Sequence, residues 1–287
     1  MVGFDLDGCF LGPAPGGPRR ITSLKGVMAD EMRFERGATR LRFALLSRLE
    51  GRNARIADRV VVTSRYSAGR AVEAYGLDPS RVRVVPEGID LARWPAPGPG
   101  PERDGGAAAG PPTVLSVARQ YPRKDTRTLV GAMPRVLEAL PTARLRVIGG
   151  GPELPSLRRL AARIGVAGAV DFAGEVDDRE RIRREYARAH AFALPSLQEG
   201  FGIVFLEAMA SRLPVVAARA AAVPEVVPHG EAGLLVPPGD REALAEALVR
   251  LLRDPGLRDR MGARGREHVR RFDWPRVARR FLEAAGA

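Results

Sequence analysis

The chain has 287 residues, of which 45% are hydrophobic and 28% are charged, and its formal net charge is +12. This length suggests about two domains, and no apolar run approaches the length of a membrane-spanning helix. A single cysteine, Cys9, excludes an intramolecular disulfide and favours a cytoplasmic location, while three scattered histidines lack the spacing of a metal site.

The positive charge is carried almost entirely by arginine. Of the 46 basic residues only Lys25 and Lys124 are lysine. Such a bias is typical of a GC-rich genome as much as of function, so we predict no nucleic-acid partner from it. A lysine that persists against this background indicates a place where a compact ammonium is wanted.

The N-terminal part of the chain predicts an incomplete α/β domain over residues 1–94. The predicted strands and helices alternate and are short, apart from one long helix. The strands are 20–26, 59–64 and 82–88, and the helices are 28–57 and 66–76. A Pro/Gly-rich stretch, 95–112, then predicts a linker.

The C-terminal part predicts a complete, doubly wound parallel-sheet domain over 113–272. Short apolar strands alternate with helices, the pattern of right-handed βαβ units. The strands are 113–118, 143–149, 169–174, 191–196, 214–218 and 233–237, and the helices are 125–140, 154–165, 178–189, the segment after Gly202, 241–253 and 256–271. A last helix within 273–287, with Asp273 as N-cap and Pro275 in its first turn, is predicted to pack on the N-terminal domain.

Polar residues cluster where these strands end. In open parallel sheets ligands bind outside the carboxyl ends of the strands. "LQEGFG" follows one such end and carries Glu199, and Glu207 lies about one turn into the next helix, an E-x7-E spacing. Carboxylates accept hydrogen bonds from paired sugar hydroxyls, and Gly200 and Gly202 allow the backbone to approach a ligand.

A second cluster is cationic. "ARQYPRK" places Arg119, Arg123 and Lys124 after another strand, which suits a diphosphate clamp. Each feature alone also fits an ordinary loop, and the glycine run Gly149–Gly151 also fits a plain tight turn. Their coincidence at strand ends of one predicted sheet favours a binding site.

The motifs resemble a known family. "EGFGIVFLE", "SVARQYPRK", "VIGGGPE" and "GEAGLLVPPGD" look like the C-terminal domain of the large retaining glycosyltransferase family with the GT-B fold, which includes many bacterial mannosyl- and glucosyltransferases. "ADRVVVTSRYSA" and "VRVVPEGID" resemble the end of its N-terminal domain. The resemblance covers the chain from about residue 20.

The resemblance implies a set of donor-binding residues. They are Arg119, Arg123, Lys124, Gly150, Val176, Glu199, Gly200, Phe201, Gly202, Ile203 and Glu207. Among them Arg119 and Lys124 would hold the diphosphate and, with Glu199, would be the catalytic residues. Glu199 and the backbone that follows it would contact the sugar, Glu207 the ribose and Val176 the nucleobase.

The same resemblance implies the reaction. A UDP- or GDP-sugar would give a hexose to a carbohydrate, lipid or small-molecule acceptor with retention of configuration. The family usually needs neither a metal nor a cofactor, and the cations stabilise the charge that develops on the leaving diphosphate.

The chain departs from the family's pattern at its N-terminus. The opening glycine-rich strand and loop are not visible, no histidine precedes residue 95, and Glu87 stands where asparagine is common. We therefore expect a truncated N-terminal domain, an intact donor half-site, and doubtful acceptor binding and catalysis. A catalytically inactive nucleotide-sugar-binding subunit is the alternative.

Two further hypotheses come from the N-terminal part. "VGFDLDGCF" is similar to the first motif of haloacid-dehalogenase phosphatases, with Asp5 as nucleophile and Asp7 as acid/base, although the later acidic pair of those enzymes is absent. The predicted helix 28–57 carries seven arginines and suggests peripheral contact with an anionic membrane, against the simpler interpretation of a solvated arginine-rich helix. These are Arg33, Arg36, Arg40, Arg42, Arg48, Arg52 and Arg55.

Overall fold

The computed structural model describes residues 2–7, 19–94 and 110–286. They form two compact units. Unit 1 comprises Met1–Gly88, Gln198–Phe201 and Phe272–Ala287, and unit 2 comprises Ile89–Leu197 and Gly202–Arg271. Cys9 and most of the predicted linker lie outside the described residues.

Unit 1 contains a four-stranded parallel sheet in the order β1-β2-β3-β4. In chain order its first elements are β1 (Val2–Phe4), β2 (Ile21–Leu24), α1 (Met28–Glu31), α2 (Gly37–Ile56), β3 (Arg59–Val62), α3 (Arg65–Tyr75) and β4 (Val82–Val84). The strand β1 pairs with β2 and adds a fourth strand to the three that were predicted at 20–26, 59–64 and 82–88.

The single long helix predicted over 28–57 is wrong. A short 3-10 turn, Met32–Phe34, follows α1, and Glu35 and Arg36 then take extended backbone angles. Gly37 begins α2 at φ +54, a left-handed value that glycine adopts without a side-chain clash. The helical periodicity of the sequence continues through this break, so only backbone geometry reveals it.

At β3 both faces of the unit 1 sheet are covered, and side chains alternate between those faces along the strand. Val60 and Val62 point to the α2–α3 side, with Leu24, in one hydrophobic cluster. Val61 points to the other side, where it packs with Val277 of the last helix. This helix, α11, is numbered after the unit 2 elements and spans Trp274–Ala285. Asp273 occupies its N-cap position and accepts the Val277 N–H through its backbone carbonyl.

Unit 2 contains a six-stranded parallel sheet with helices between the strands. The strands are β5 (Thr113–Val117), β6 (Arg144–Ile148), β7 (Val170–Gly174), β8 (Ala191–Leu194), β9 (Val215–Ala218) and β10 (Gly233–Val236). The helices are α4 (Thr126–Ala139), α5 (Leu154–Arg163), α6 (Arg179–Arg188), α7 (Ile203–Ala210), α8 (Val223–Val226), α9 (Arg241–Arg253) and α10 (Pro255–Val269).

The strand order of unit 2 is β10-β9-β8-β5-β6-β7. Read from the opposite edge, this order is that of the doubly wound nucleotide-binding sheet, and its order reverses between β5 and β8. The α/β class and the complete parallel C-terminal sheet predicted from the sequence are confirmed. Strands that alternate with helices and are joined to them by short loops form a parallel sheet.

Candidate functional site

The switch point of unit 2 brings together the two loops that the sequence singled out. The "ARQYPRK" loop follows β5, and the segment leading to α7 follows β8, the neighbour of β5 in the sheet. The Leu197 N–H donates to the Arg123 carbonyl at 2.8 Å and links the two loops directly. Ligands of open α/β sheets bind at such a point.

Two cations of the first loop lie at one aromatic ring, and of the three cations Arg119 is exposed while Arg123 and Lys124 are half-buried. The guanidinium carbons of Arg119 and Arg123 lie 5.7 and 5.3 Å from the centre of the Tyr121 ring. Lys124 ends a short 3-10 turn that begins at Pro122. The Arg119 side chain is 64% exposed and lies 3.9 Å from a Glu175 carboxylate oxygen, a distance at which a surface ion pair contributes little. The Arg119 guanidinium is therefore available to an anion.

Buried contacts hold this loop in shape. Gln120 is wholly buried, donates to the Ala118 carbonyl at 2.6 Å, and accepts from the Thr126 hydroxyl at 2.7 Å. Its backbone N–H donates to the Gly150 carbonyl at 2.8 Å. A Cβ on Gly149 would lie 1.9 Å from the Ala118 carbonyl oxygen, and one on Gly151 would lie 2.7 Å from the Gln120 nitrogen, so close packing of the β5 and β6 loops requires glycine at these two positions.

Glu207 lies in α7 with a specific partner. The hydroxyl of Tyr186, a wholly buried residue of α6, donates to Glu207 Oε2 at 2.9 Å. Burial raises the pKa of Glu207, while the Tyr186 hydrogen bond and the charges of Arg179 and Arg183 lower it. The Glu207 carboxyl is thus partly buried, and the Tyr186 hydroxyl orients it through one of its two oxygens.

The segment Gln198–Phe201 belongs to unit 1. Glu199 is 7% exposed there. The Gly200 carbonyl accepts hydrogen bonds from three hydroxyls of the segment after β3, those of Thr63, Ser64 and Ser67, at 3.0, 2.7 and 3.1 Å. A Cβ on Gly200 would lie 2.9 Å from the Lys25 carbonyl oxygen, so the close approach that Gly200 permits is made to the protein's own backbone.

The remaining predicted residues lie at three places. Phe201 is buried in unit 1 and contacts Phe272 edge to face, with ring centres 5.6 Å apart. In unit 2, Gly202 adopts φ +94 just before α7, where a glycine is favoured, and Ile203 is the exposed first residue of that helix. Val176 is half-buried in the segment that follows β7.

The two lysines have different surroundings. Lys25 lies in unit 1, where its ammonium pairs with Glu87 at 2.9 Å and lies 5.5 Å from the Phe4 ring centre. Lys124 lies in the cation-rich loop of unit 2.

Asp5 and Asp7, the aspartates of the phosphatase hypothesis, accept hydrogen bonds from backbone N–H groups. They follow β1, which in the described part of the chain is the edge strand of its sheet. Asp5 accepts the Lys25 N–H at 2.9 Å, and Asp7 accepts the Phe4 N–H at 3.1 Å. Among the described residues no group of three or more histidine, cysteine or acidic side chains could hold a metal ion.

Sequence reasoning missed Tyr186, Gln120 and the three hydroxyls that bind Gly200. Tyr186 lies in "RREYARA", where a single aromatic in a charged helix indicates only a residue that faces the core. Its hydrogen bond to Glu207 connects α6 and α7, and no local pattern encodes such a contact.

Two α/β units, each built on a parallel sheet, with a cationic loop and a carboxylate-bearing helix at the switch point of one of them, define the class of GT-B glycosyltransferases. Residues 102–268 match the family described as "Glycosyl transferases group 1", and residues 12–93 match "Glycosyltransferase Family 4". The first match covers more than half of the chain, and the protein therefore belongs to the group 1 glycosyltransferases.

Individual relatives agree with this assignment. A GDP-mannose-dependent alpha-(1-6)-phosphatidylinositol monomannoside mannosyltransferase of Mycobacterium tuberculosis is 36% identical over 79% of this chain and 61% of its own length. Sucrose-phosphate synthase of Thermosynechococcus elongatus is 29% identical, with a TM-score of 0.77 over 93% of this chain and 67% of that one. Anabaena Alr3699/HepE, solved with UDP and glucose, is 23% identical and shares the fold, with a TM-score of 0.78 over 94% of this chain and 72% of that one.

The chain thus spans about three fifths of the length of the mannosyltransferase it matches. Neither the two family matches nor the relatives named above support the phosphatase hypothesis. In the described ranges no helix is both long and apolar enough to cross a membrane.

Proposed function

We propose that the protein transfers a hexose from a UDP- or GDP-sugar to an acceptor, with retention of configuration and without a metal ion. The observation that carries the proposal is the hydrogen bond from the Leu197 N–H to the Arg123 carbonyl at the switch point. It joins the cation-rich loop after β5 to the segment that leads to α7 and Glu207. A diphosphate and a ribose are the two parts of a nucleotide sugar that these groups recognise.

Each group has a task in the proposed reaction. Arg119, Arg123 and Lys124 bind the diphosphate, and they stabilise it more strongly as negative charge develops during departure of the nucleoside diphosphate. Because these cations carry the leaving-group charge, no metal ion is needed for that task. Glu207 accepts hydrogen bonds from the ribose hydroxyls.

The sugar and base contacts complete the proposed donor site. Glu199 and the backbone from Gly200 to Ile203 contact the sugar, Gly150 lies on the donor side of the β6 loop, and Val176 meets the nucleobase.

Calorimetric titration with UDP and GDP tests donor binding. Replacing Lys124 with alanine should weaken the binding of the preferred nucleotide about tenfold to a hundredfold, because a charge-assisted contact contributes about 1.5–3 kcal/mol. Arg135→Ala is the matched control, since Arg135 is exposed on α4 and pairs with Glu138 at 3.0 Å. Equal affinity in all three proteins would contradict the diphosphate assignment.

A donor-hydrolysis assay and product analysis test the reaction. Release of UDP or GDP from its sugar that persists in EDTA would support metal independence, and an anomeric coupling in the product that matches the donor would support retention. Binding without release, both in this chain and in a version extended upstream, would favour the nucleotide-sugar-binding subunit instead.

We further propose that the acceptor is lipid-linked and that α2 contacts an anionic membrane. All seven arginines of residues 28–57 are exposed. Leu41 and Leu45, one helical turn apart among them, are 75% and 58% exposed. Exposed apolar residues flanked by arginines are typical of helices that lie on membranes. The mannosyltransferase relative, whose name specifies a phosphatidylinositol mannoside, also supports a lipid acceptor.

Vesicle sedimentation separates this proposal from a solvated helix. Binding should require anionic lipid and fall in high salt, and the double change Leu41→Ser with Leu45→Ser should reduce it. Equal sedimentation with purely zwitterionic vesicles would contradict it.

A further inference from the structure

Tyr186 is a buried residue whose polar group faces the proposed ribose-binding carboxylate. We infer that Tyr186, held in place by Trp94, is a positioning residue that fixes Glu207 for recognition of the ribose hydroxyls. This inference rests on the proposed function and assigns one of its specificity determinants.

The hydroxyl of Tyr186 has one proton to donate, and acceptors of Glu207 and of the Val204 backbone lie near it. Glu207 Oε2 lies at 2.9 Å, and the Val204 carbonyl lies at 3.5 Å, the outer limit for a hydrogen bond. A hydroxyl that donates to an ionised carboxylate makes the stronger bond. The proton therefore goes to Glu207.

The hydrogen bond occupies one oxygen of Glu207 and leaves the other available. In the described part of the chain no hydrogen bond is made to Glu207 Oε1. This atom is also not one of the fully buried polar side-chain atoms that lack a hydrogen-bond partner. A carboxylate can accept two hydroxyls of one ribose only if its plane is fixed. Tyr186 supplies that constraint from the protein side.

The ring of Tyr186 is itself fixed on two sides. The Trp94 ring meets it edge to face with centres 5.3 Å apart, and the Phe192 ring stacks on it at 5.7 Å. A tyrosine has few rotatable bonds, so a ring held on both sides also fixes the direction of its hydroxyl. Packing thus determines the geometry of the bond to Glu207.

Trp94 is anchored to the helix that carries Glu207. Arg266 Nη1 donates to the Trp94 carbonyl and to the carbonyl of Ala210, the last residue of α7, both at 2.7 Å. The guanidinium of Arg183 lies 5.7 Å from the Trp94 ring centre. Because one arginine binds both backbone positions, a shift of Trp94 relative to α7 would break a charge-assisted bond.

The test compares two ligands that differ only in the ribose. Calorimetry is performed on the whole chain with the preferred nucleoside diphosphate and with its 2′,3′-dideoxy analogue. The wild-type chain should bind the ribonucleotide about tenfold more tightly or better, as expected for hydrogen bonds to a charged group. In Tyr186→Phe the ribonucleotide should bind about fivefold to tenfold more weakly, and the dideoxy analogue should change by less than about twofold.

Two controls separate positioning from general damage. Tyr66→Phe removes another hydroxyl that donates to a carboxylate, that of Asp30 in unit 1 at 2.6 Å, and should leave the ribose preference unchanged. In a Glu207→Ala background Tyr186→Phe should have no further effect, because the residue acts only through Glu207.

If Tyr186→Phe does not fold, Trp94→Leu provides the same comparison, with partial loss of the ribose preference as the expected result. A folded Tyr186→Phe or Trp94→Leu protein that keeps the full preference for the ribonucleotide would overturn the inference alone. A wild-type chain that binds neither UDP nor GDP would overturn the proposed function together with it.

Discussion

Glu50 gives the sharpest prediction about stability. It is a wholly buried residue of α2 in unit 1. Its Oε2 accepts the Met28 N–H at 2.9 Å and a short hydrogen bond from the Tyr75 hydroxyl, whereas its buried Oε1 has no hydrogen-bond partner. Burial raises the pKa of Glu50 from 4.5 to about 7, and the two hydrogen bonds only partly oppose the rise. The perturbation we consider is Glu50→Gln.

The direction and the size of the pH effect on stability follow from the difference between the folded-state and unfolded-state pKa values of Glu50. Because the pKa is higher in the folded state, the folded chain binds the proton more tightly, and stability falls as the pH rises from about 4.5 to about 7. The interval between the two pKa values corresponds to about 3 kcal/mol. Glutamine cannot ionise, so this loss should disappear in the variant. At low pH the variant should be less stable by about 1 kcal/mol, because the amide group has no partner at the Oε1 position.

The assay is denaturant unfolding at several pH values, followed by the fluorescence of Trp274. The two tryptophans of the chain, Trp94 and Trp274, lie in different units, so a Trp94→Phe background reports on unit 1. Glu73→Gln is the matched control, since the Glu73 side chain is 70% exposed. A free-energy difference between Glu50→Gln and its parent that stays constant from pH 5 to pH 8 would refute the reasoning.

Other predictions concern the two loops. Gly149→Ala should destabilise unit 2 by about 3 kcal/mol or more, measured by thermal unfolding, because its Cβ would clash with a backbone carbonyl at φ +123. Gly168→Ala, where nothing lies within 4 Å of the added Cβ, should be nearly neutral. The double change Thr63→Val with Ser64→Ala removes two of the three donors to the Gly200 carbonyl and should speed hydrogen exchange in residues 198–201, while a Ser80→Ala control should not.

The sequence predicts the parallel sheets and the loops of the candidate site well. Alternating apolar strands and amphipathic helices determine a parallel sheet, and the carboxyl ends of its strands then select "ARQYPRK" and "LQEGFG". Local patterns suffice there because each depends on residues close in the chain.

The missed features depend on contacts between distant residues. Tyr186 and Glu207 meet across two helices, and the Gly200 carbonyl meets hydroxyls more than a hundred positions away. The break at Glu35 and Arg36 is missed for another reason. Neither residue type opposes a helix, and only the backbone angles of Glu35, Arg36 and Gly37 show that the chain turns there.

The scarcity of lysine makes this protein unusually easy to probe by covalent labelling. Lys25 and Lys124 are the only lysine side chains in the sequence, and they belong to different units. An amine-selective reagent followed by mass spectrometry would therefore give one readout at the cation-rich loop and a second at the Lys25–Glu87 pair, besides the chain's own amino group. Slower modification of Lys124 on addition of a nucleoside diphosphate, measured against Lys25 in the same sample, would need no variant protein at all.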